Sequence, residues 1–154
     1  SYGKLPPVPC FSGQLSQVFM NIFTNTIDSL LSQLYRCDPN NPNAANDSKP
    51  LKITITTCVC ADQHMLTGTA EESRWGSVII SDNGPGIPPD TKAQILASFS
   101  NEHASRKETG LAMSYRIITA NHGGKLWLRS VHASEETKTT GTEFEILLPL
   151  TISE

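Results

Sequence analysis

The sequence predicts an α+β domain, a two-layer α/β sandwich in which a mixed, mostly antiparallel sheet carries helices on one face. Three observations predict it. Near the N-terminus a long stretch repeats apolar residues at helical spacing, four later segments read as strands, and a second helical stretch lies between the two strand pairs. With 154 residues and 38% apolar content, the chain suits one core and one domain over 1–154.

The first element is the stretch from Gln14 to Leu31. Leu15, Val18, Phe19, Ile22, Phe23, Ile27, Leu30 and Leu31 recur at three- and four-residue steps, which turns one apolar face toward a core. Asn21, Asn25 and Asp28 follow at spacings of four and three and so form a polar stripe beside that face. Two asparagines one turn apart cost a helix a few tenths of a kcal/mol each, roughly. A ligand is one compensation, because an amide oxygen is a hard neutral donor suited to completing the shell of a magnesium ion held by water and phosphates.

Cys37 to Pro50 is rich in Pro and Asn and too poor in apolar residues to build a core, so it is expected to be a mobile loop. Leu51 to Val59 alternates as a half-buried strand, Asp62 to Arg74 is a loop, and Trp75 to Ser81 is the next strand. Directly after it stands Ser81-Asp82-Asn83-Gly84-Pro85-Gly86-Ile87-Pro88. Alone, such a string is an ordinary turn. At the end of a buried strand, however, an aspartate is fixed and can accept a directional hydrogen bond from an exocyclic amine, and the glycines let backbone approach a flat ring. A short helix is expected from Asp90 to Phe99, a longer one from Leu111 to Asn121, and strands over Lys125–His132 and Thr142–Leu148, with the charged loop Ala133–Gly141 between them.

These segments, in this order, resemble the ATP-binding catalytic domain of a two-component sensor histidine kinase, in the GHKL superfamily that also holds DNA gyrase, a heat-shock chaperone and mismatch-repair ATPases. The asparagine helix resembles the N box and Asp82 to Gly86 the adenine-binding box. Thr109 to Leu126 is similar to the second glycine box with its helix, its His122-Gly123-Gly124 turn and its next strand. The likeness runs from about Gln14 to Pro149. It implies ATP and Mg²⁺ as cofactors, with Asp82 accepting from the adenine amine, Gly84, Gly86 and Ile87 beside the base, and Asn25 as metal ligand. Thr109, Gly110 and Leu111 would face the phosphates across a lid at about 88–110, where free N–H groups and the helix dipole favour an anion. Asn21 stands where water-using relatives place a glutamate base. An amide takes no proton at neutral pH, so Asn21 suits a kinase whose acceptor histidine attacks the γ-phosphate itself. The implied partners are a histidine-bearing dimerisation domain of the same protein and a response regulator.

The lid departs from the family pattern. Glu108 puts a negative charge near the phosphates, Ala112 adds a methyl where backbone closes on them, and only Gly110 remains of the usual glycines, while Arg106 and Lys107 offset part of the charge. His103 stands where a lysine is usual. These departures fit a regulatory, non-enzymatic module of the same fold as an alternative, and an anti-sigma-type serine kinase shares the same boxes. A net charge of -3 gives no basic footprint for nucleic acid, and the sequence contains neither a membrane span nor an N-terminal signal. A cytoplasmic location is expected, with the parent protein membrane-attached or not, and the proline-broken segment Ser1 to Cys10 reads as an extended entry strand of a fragment from a longer kinase. Cys10, Cys37, Cys58 and Cys60 read as reduced structural thiols. Of His64, His103, His122 and His132, none has the setting of a phosphoacceptor, and His122 reads as a turn residue.

Overall fold

A computed structural model describes residues 2–35, 50–61, 74–100, 109–132 and 139–150, with backbone only at 33–35 and 61. The expected loops 37–50, 62–74 and 133–141 lie wholly or largely outside these residues. So do His64, Cys37 and the lid residues His103, Arg106, Lys107 and Glu108.

Helix α1 spans Ser12–Tyr35, strands β1 and β2 span Ile53–Ala61 and Arg74–Asp82, and helices α2 and α3 span Pro89–Ser100 and Gly110–Arg116. A π-helical turn, Ile117–Asn121, continues α3 into β3 (Lys125–Val131), and β4 spans Gly141–Pro149. From α1 onward every expected helix and strand is present, with shifted ends. Proline at the first position of α2 has no N–H to leave unpaired there.

The four strands lie in the order β1-β2-β4-β3, and all three neighbouring pairs are antiparallel. Among the described residues the mixed character is confined to one parallel bridge, Tyr2 to Thr57. Gly3 N–H also bonds the Thr57 carbonyl at 2.8 Å, but Pro6, Pro7 and Pro9 have no N–H to continue a ladder. The expected entry strand is therefore reduced to that bridge. Placing β4 between β2 and β3 brings the end of β2 beside the start of β4, with Ser81 opposite Glu143.

Burial alternates strictly along β4. Thr142, Phe144, Ile146 and Leu148 are buried, while Arg129 on the other sheet face pairs with Glu143 at 3.0 Å and with Glu145. The core joins this inner face to Val18 and Ile22 of α1, Leu111 of α3, and Ile117 and Ile118 of the π-turn. Each fully buried isoleucine contributes roughly 1.5–3 kcal/mol.

In α1 the innermost stripe is Val18, Ile22, Thr26 and Leu30, all buried and each four residues from the last. Ile27 and Leu31, expected in the core, are 45% and 42% exposed. The broad apolar face is wider than the surface it meets, so its rim faces solvent. None of α2 is fully buried. It rests on Ile95, packed at the edge of the core, and on Phe99 stacked on Tyr115 with ring centroids 4.6 Å apart.

Two of the described cysteines differ from the structural role expected of them. Cys10 and Cys58 are exposed free thiols, and Cys60 is half-buried with its Sγ 3.7 Å from the Trp75 carbonyl.

Candidate functional site

Asp82 is the last residue of β2, and the chain turns immediately after it. Its Oδ1 accepts two backbone N–H groups, from Gly84 at 2.8 Å and from Thr142 at 3.2 Å. That leaves Oδ2 without a hydrogen-bond partner among the described residues. Burial pushes the Asp82 carboxyl above its usual range, and the two N–H bonds oppose that shift. The turn itself is anchored on both sides. Asn83 accepts from Lys52 N–H at 2.7 Å and donates to the Pro50 carbonyl at 2.9 Å, while Ile87 N–H donates to Ser130 Oγ at 2.7 Å.

A cavity of about 290 Å³ opens beside this turn, walled by Asn25, Thr26 and Ser29 of α1, by Asp82, Gly86 and Ile87, and by Leu111 and Phe144. A second lobe adjoins it, shares Asn25, Thr91, Ile95 and Leu111, and adds Thr109 and Gly110. Gly86 has φ of 73°, and a Cβ there would lie 2.1 Å from the Val131 carbonyl oxygen, so only glycine fits.

Asn25 presents a clear polarity to the cavity. Its Nδ2 donates to the Asn21 carbonyl at 2.7 Å, one helical turn back, which turns Oδ1 away from the helix as an available acceptor. The donor chemistry fits a hard cation that keeps most of its water and phosphate ligands.

Asn21 is placed differently. Its Nδ2 donates to the Gly110 carbonyl at 2.9 Å and to Ser114 Oγ at 3.0 Å, and its Oδ1 accepts from Gln17 Nε2 at 3.0 Å. The amide is consumed in tying α1 to α3, and Asn21 lines neither lobe. Gly84 also stands behind the wall, holding the Asp82 carboxylate. Asp28, third in the polar stripe, is exposed and lines neither lobe.

Thr109 caps α3, its Oγ1 accepting from Ala112 N–H at 3.3 Å. The N–H groups of Gly110 and Leu111, in the first turn, have no acceptor within the helix. Ala112 is only 4% exposed and lines neither lobe, so its methyl fills the core rather than the phosphate side. That corrects the expectation that Ala112 obstructs the lid. His122 is a turn residue as expected, with Nδ1 donating to the Ile117 carbonyl at 2.8 Å and Nε2 accepting from Phe11 N–H at 3.0 Å.

Sequence reading missed Thr26. The signal was the four-residue step from Val18 through Ile22 to Leu30, which passes through this polar position.

Comparison with known proteins gives the family of the chain. Residues 12–152 match the family described as "Histidine kinase-, DNA gyrase B-, and HSP90-like ATPase". The chain is 29% identical over 148 residues to the sensory histidine kinase/phosphatase NtrB of Rhizobium meliloti, covering 95% of this chain and 33% of NtrB. It is 28% identical over 146 residues to sporulation kinase E of Bacillus subtilis, covering 95% and 15%. The chain thus spans a third or less of either relative's length. Among solved structures, the catalytic domain of histidine kinase ThkA superposes with a TM-score of 0.52 at 23% identity, over 93% of this chain and 70% of that one, a likeness of fold. The chain is a member of the family of histidine kinase-, DNA gyrase B- and HSP90-like ATPases.

Proposed function

We propose that this chain is the ATP-binding catalytic domain of a sensor histidine kinase. It passes the γ-phosphoryl group of ATP to a histidine on a dimerisation domain of the same protein, from which a response regulator takes it. The observation that carries the proposal is Asp82. One of its oxygens is pinned by two backbone N–H groups, and the other is left for a donor in the cavity. That geometry suits the exocyclic amine of adenine, with the base over Gly86 and Ile87 and the phosphates running past Asn25 toward Thr109 and Gly110.

A kinase fits better than a water-using hydrolase. Among the described residues, Asp82 is the one carboxylate lining the cavity, and the second lobe has none. Asn21, at the position where hydrolytic relatives place a base, spends its amide within the protein. Asn25 Oδ1 would hold Mg²⁺, whose chemistry when bound is charge neutralisation of the phosphates. The chain's own part is positioning: it fixes the base at Asp82 and aligns the phosphates for an acceptor that brings its own nucleophile. Among the described residues no helix is long and apolar enough to cross a membrane. A supply of ATP places the domain on the cytoplasmic side, whether or not the parent protein is membrane-attached.

The test is calorimetric titration with a non-hydrolysable ATP analogue, with and without Mg²⁺, alongside Asp82→Asn and Asn25→Ala. Micromolar binding that Asp82→Asn removes and whose Mg²⁺ dependence Asn25→Ala removes supports the reading. No binding at millimolar analogue overturns it. Formation of an acid-labile phosphohistidine on the dimerisation domain, rather than free phosphate, separates kinase from hydrolase.

A further inference from the structure

Thr26 is the one residue of the core stripe of α1 that carries a polar group. It is 2% exposed, it lines the cavity that Asp82 lines, and its Oγ1 has no hydrogen-bond partner among the described residues. The partnered hydroxyls in the described helices show what is missing. Ser32, Ser98, Ser114 and Thr119 each donate to a carbonyl three or four residues back, at 2.6 to 2.8 Å. Thr26 sits in mid-helix, where that bond is available, and does not make it.

A buried hydroxyl without a partner destabilises the fold, and valine would fill the same space without that penalty. The neighbours Val18, Ile22 and Leu30 show that this stripe accepts aliphatic side chains. The hydroxyl therefore calls for a partner that arrives from outside the chain, and the cavity is where one can arrive. Because no bond holds Oγ1, rotation about χ1 exchanges hydroxyl and methyl at little cost, and threonine in a helix divides between two such rotamers.

We infer that Thr26 is a base-recognition residue of the nucleotide pocket, its hydroxyl donating, directly or through one water, to a ring nitrogen of the purine. The inference rests on the nucleotide reading proposed above and adds a second polar contact to it. Asp82 accepts and Thr26 donates. An adenine edge offers an amine donor beside a ring-nitrogen acceptor, which is the complement of that pair.

The experiment measures two quantities on the same 154-residue chain and its Thr26→Val and Thr26→Ser variants: the dissociation constant for a non-hydrolysable ATP analogue with Mg²⁺, and the melting temperature without nucleotide. Thr26→Val is expected to bind about tenfold more weakly, the worth of one neutral hydrogen bond, while its nucleotide-free melting temperature rises by about 3 °C. Thr26→Ser keeps the hydroxyl and is expected to bind within about twofold of the parent. The opposite movement of affinity and stability is the signature, because a hydroxyl that merely holds the fold moves both down together. Unchanged affinity in Thr26→Val overturns the inference and leaves the proposed function standing. Reduced affinity with a lowered melting temperature also overturns it, assigning the hydroxyl a structural role. No binding by the parent chain overturns both.

Discussion

Asn21 and Gly110 occupy one another's space: the amide of Asn21 donates to the Gly110 carbonyl at 2.9 Å, and a Cβ on Gly110 would lie 3.1 Å from Asn21 Cγ. Any larger residue at 110 would have to push this packed side chain of α1 aside by a few tenths of an ångström, and the amide in turn holds the helix that begins at that glycine. Asn21→Ala removes three hydrogen bonds and is expected to cost about 2 kcal/mol, lowering the melting temperature of the nucleotide-free domain by about 6 °C. Asn21→Asp, which turns a carboxylate toward a carbonyl oxygen, is expected to be no better. Unchanged melting in both would show that the tether contributes nothing to the fold.

Asp82→Asn makes a prediction in pH. Because burial raises the Asp82 carboxyl in the folded state, the folded state holds its proton more tightly than the unfolded chain does. Its stability relative to a neutral side chain therefore falls as pH rises from the unfolded value near 3.8 through the folded one. Asparagine keeps an oxygen for Gly84 and Thr142 and cannot ionise. Thermal melts are expected to show Asp82→Asn more stable than the parent at neutral pH, with the gap closing in acid, while nucleotide affinity falls about a hundredfold. A gap that widened in acid would reverse the assignment.

Gly86→Ala confronts a φ of 73° and a contact of 2.1 Å with the Val131 carbonyl oxygen. Relief requires the turn to leave Val131, which breaks the neighbouring bond from Ile87 N–H to Ser130. The expected loss is about 3 kcal/mol or more, read as a sharp fall in soluble yield and melting temperature. Parent-like melting would mean that the turn can give way without loss.

His122→Ala removes both the acceptor for Phe11 N–H and an edge-on ring contact of 5.5 Å with Phe11. The expected cost is about 1–2 kcal/mol. Hydrogen exchange is the sharper readout, since protection of the Phe11 amide should drop while that of Ile146 in the central strand stays high.

Much of the fold was legible because its signals are local. Alternation marked β1, the three- and four-residue steps marked α1, and Asp82 at the end of an apolar strand marked the turn that holds it. What stayed hidden depends on partners distant in the sequence. Asn21 reads as one of a polar stripe, and its true neighbours, Gly110 and Ser114, lie 89 and 93 residues away. Ala112 reads as an obstruction only until α3 is oriented and its methyl is seen to face the core. Ile27 and Leu31 satisfy the helical period, but periodicity gives a direction and not the width of the surface that a helix meets.

The π-helical turn Ile117–Asn121 joins a helix that repeats every 3.6 residues to a sheet that repeats every 2, and it sets the phase between them. Its wider winding is one residue's worth of slack. Beyond it no slack remains: Gly124 N–H bonds the Ile118 carbonyl at 2.8 Å, and removing a single residue between His122 and Lys125 would shift β3 by one place against β4, a slip that exchanges a strand's faces. Leu126 and Leu128, now buried, would then trade places with Trp127, which is 51% exposed. Chain length between His122 and Lys125 is therefore a quantity the fold holds constant, and so are Gly123, with its φ of 60°, and Gly124, where a Cβ would lie 2.4 Å from the Leu147 carbonyl oxygen.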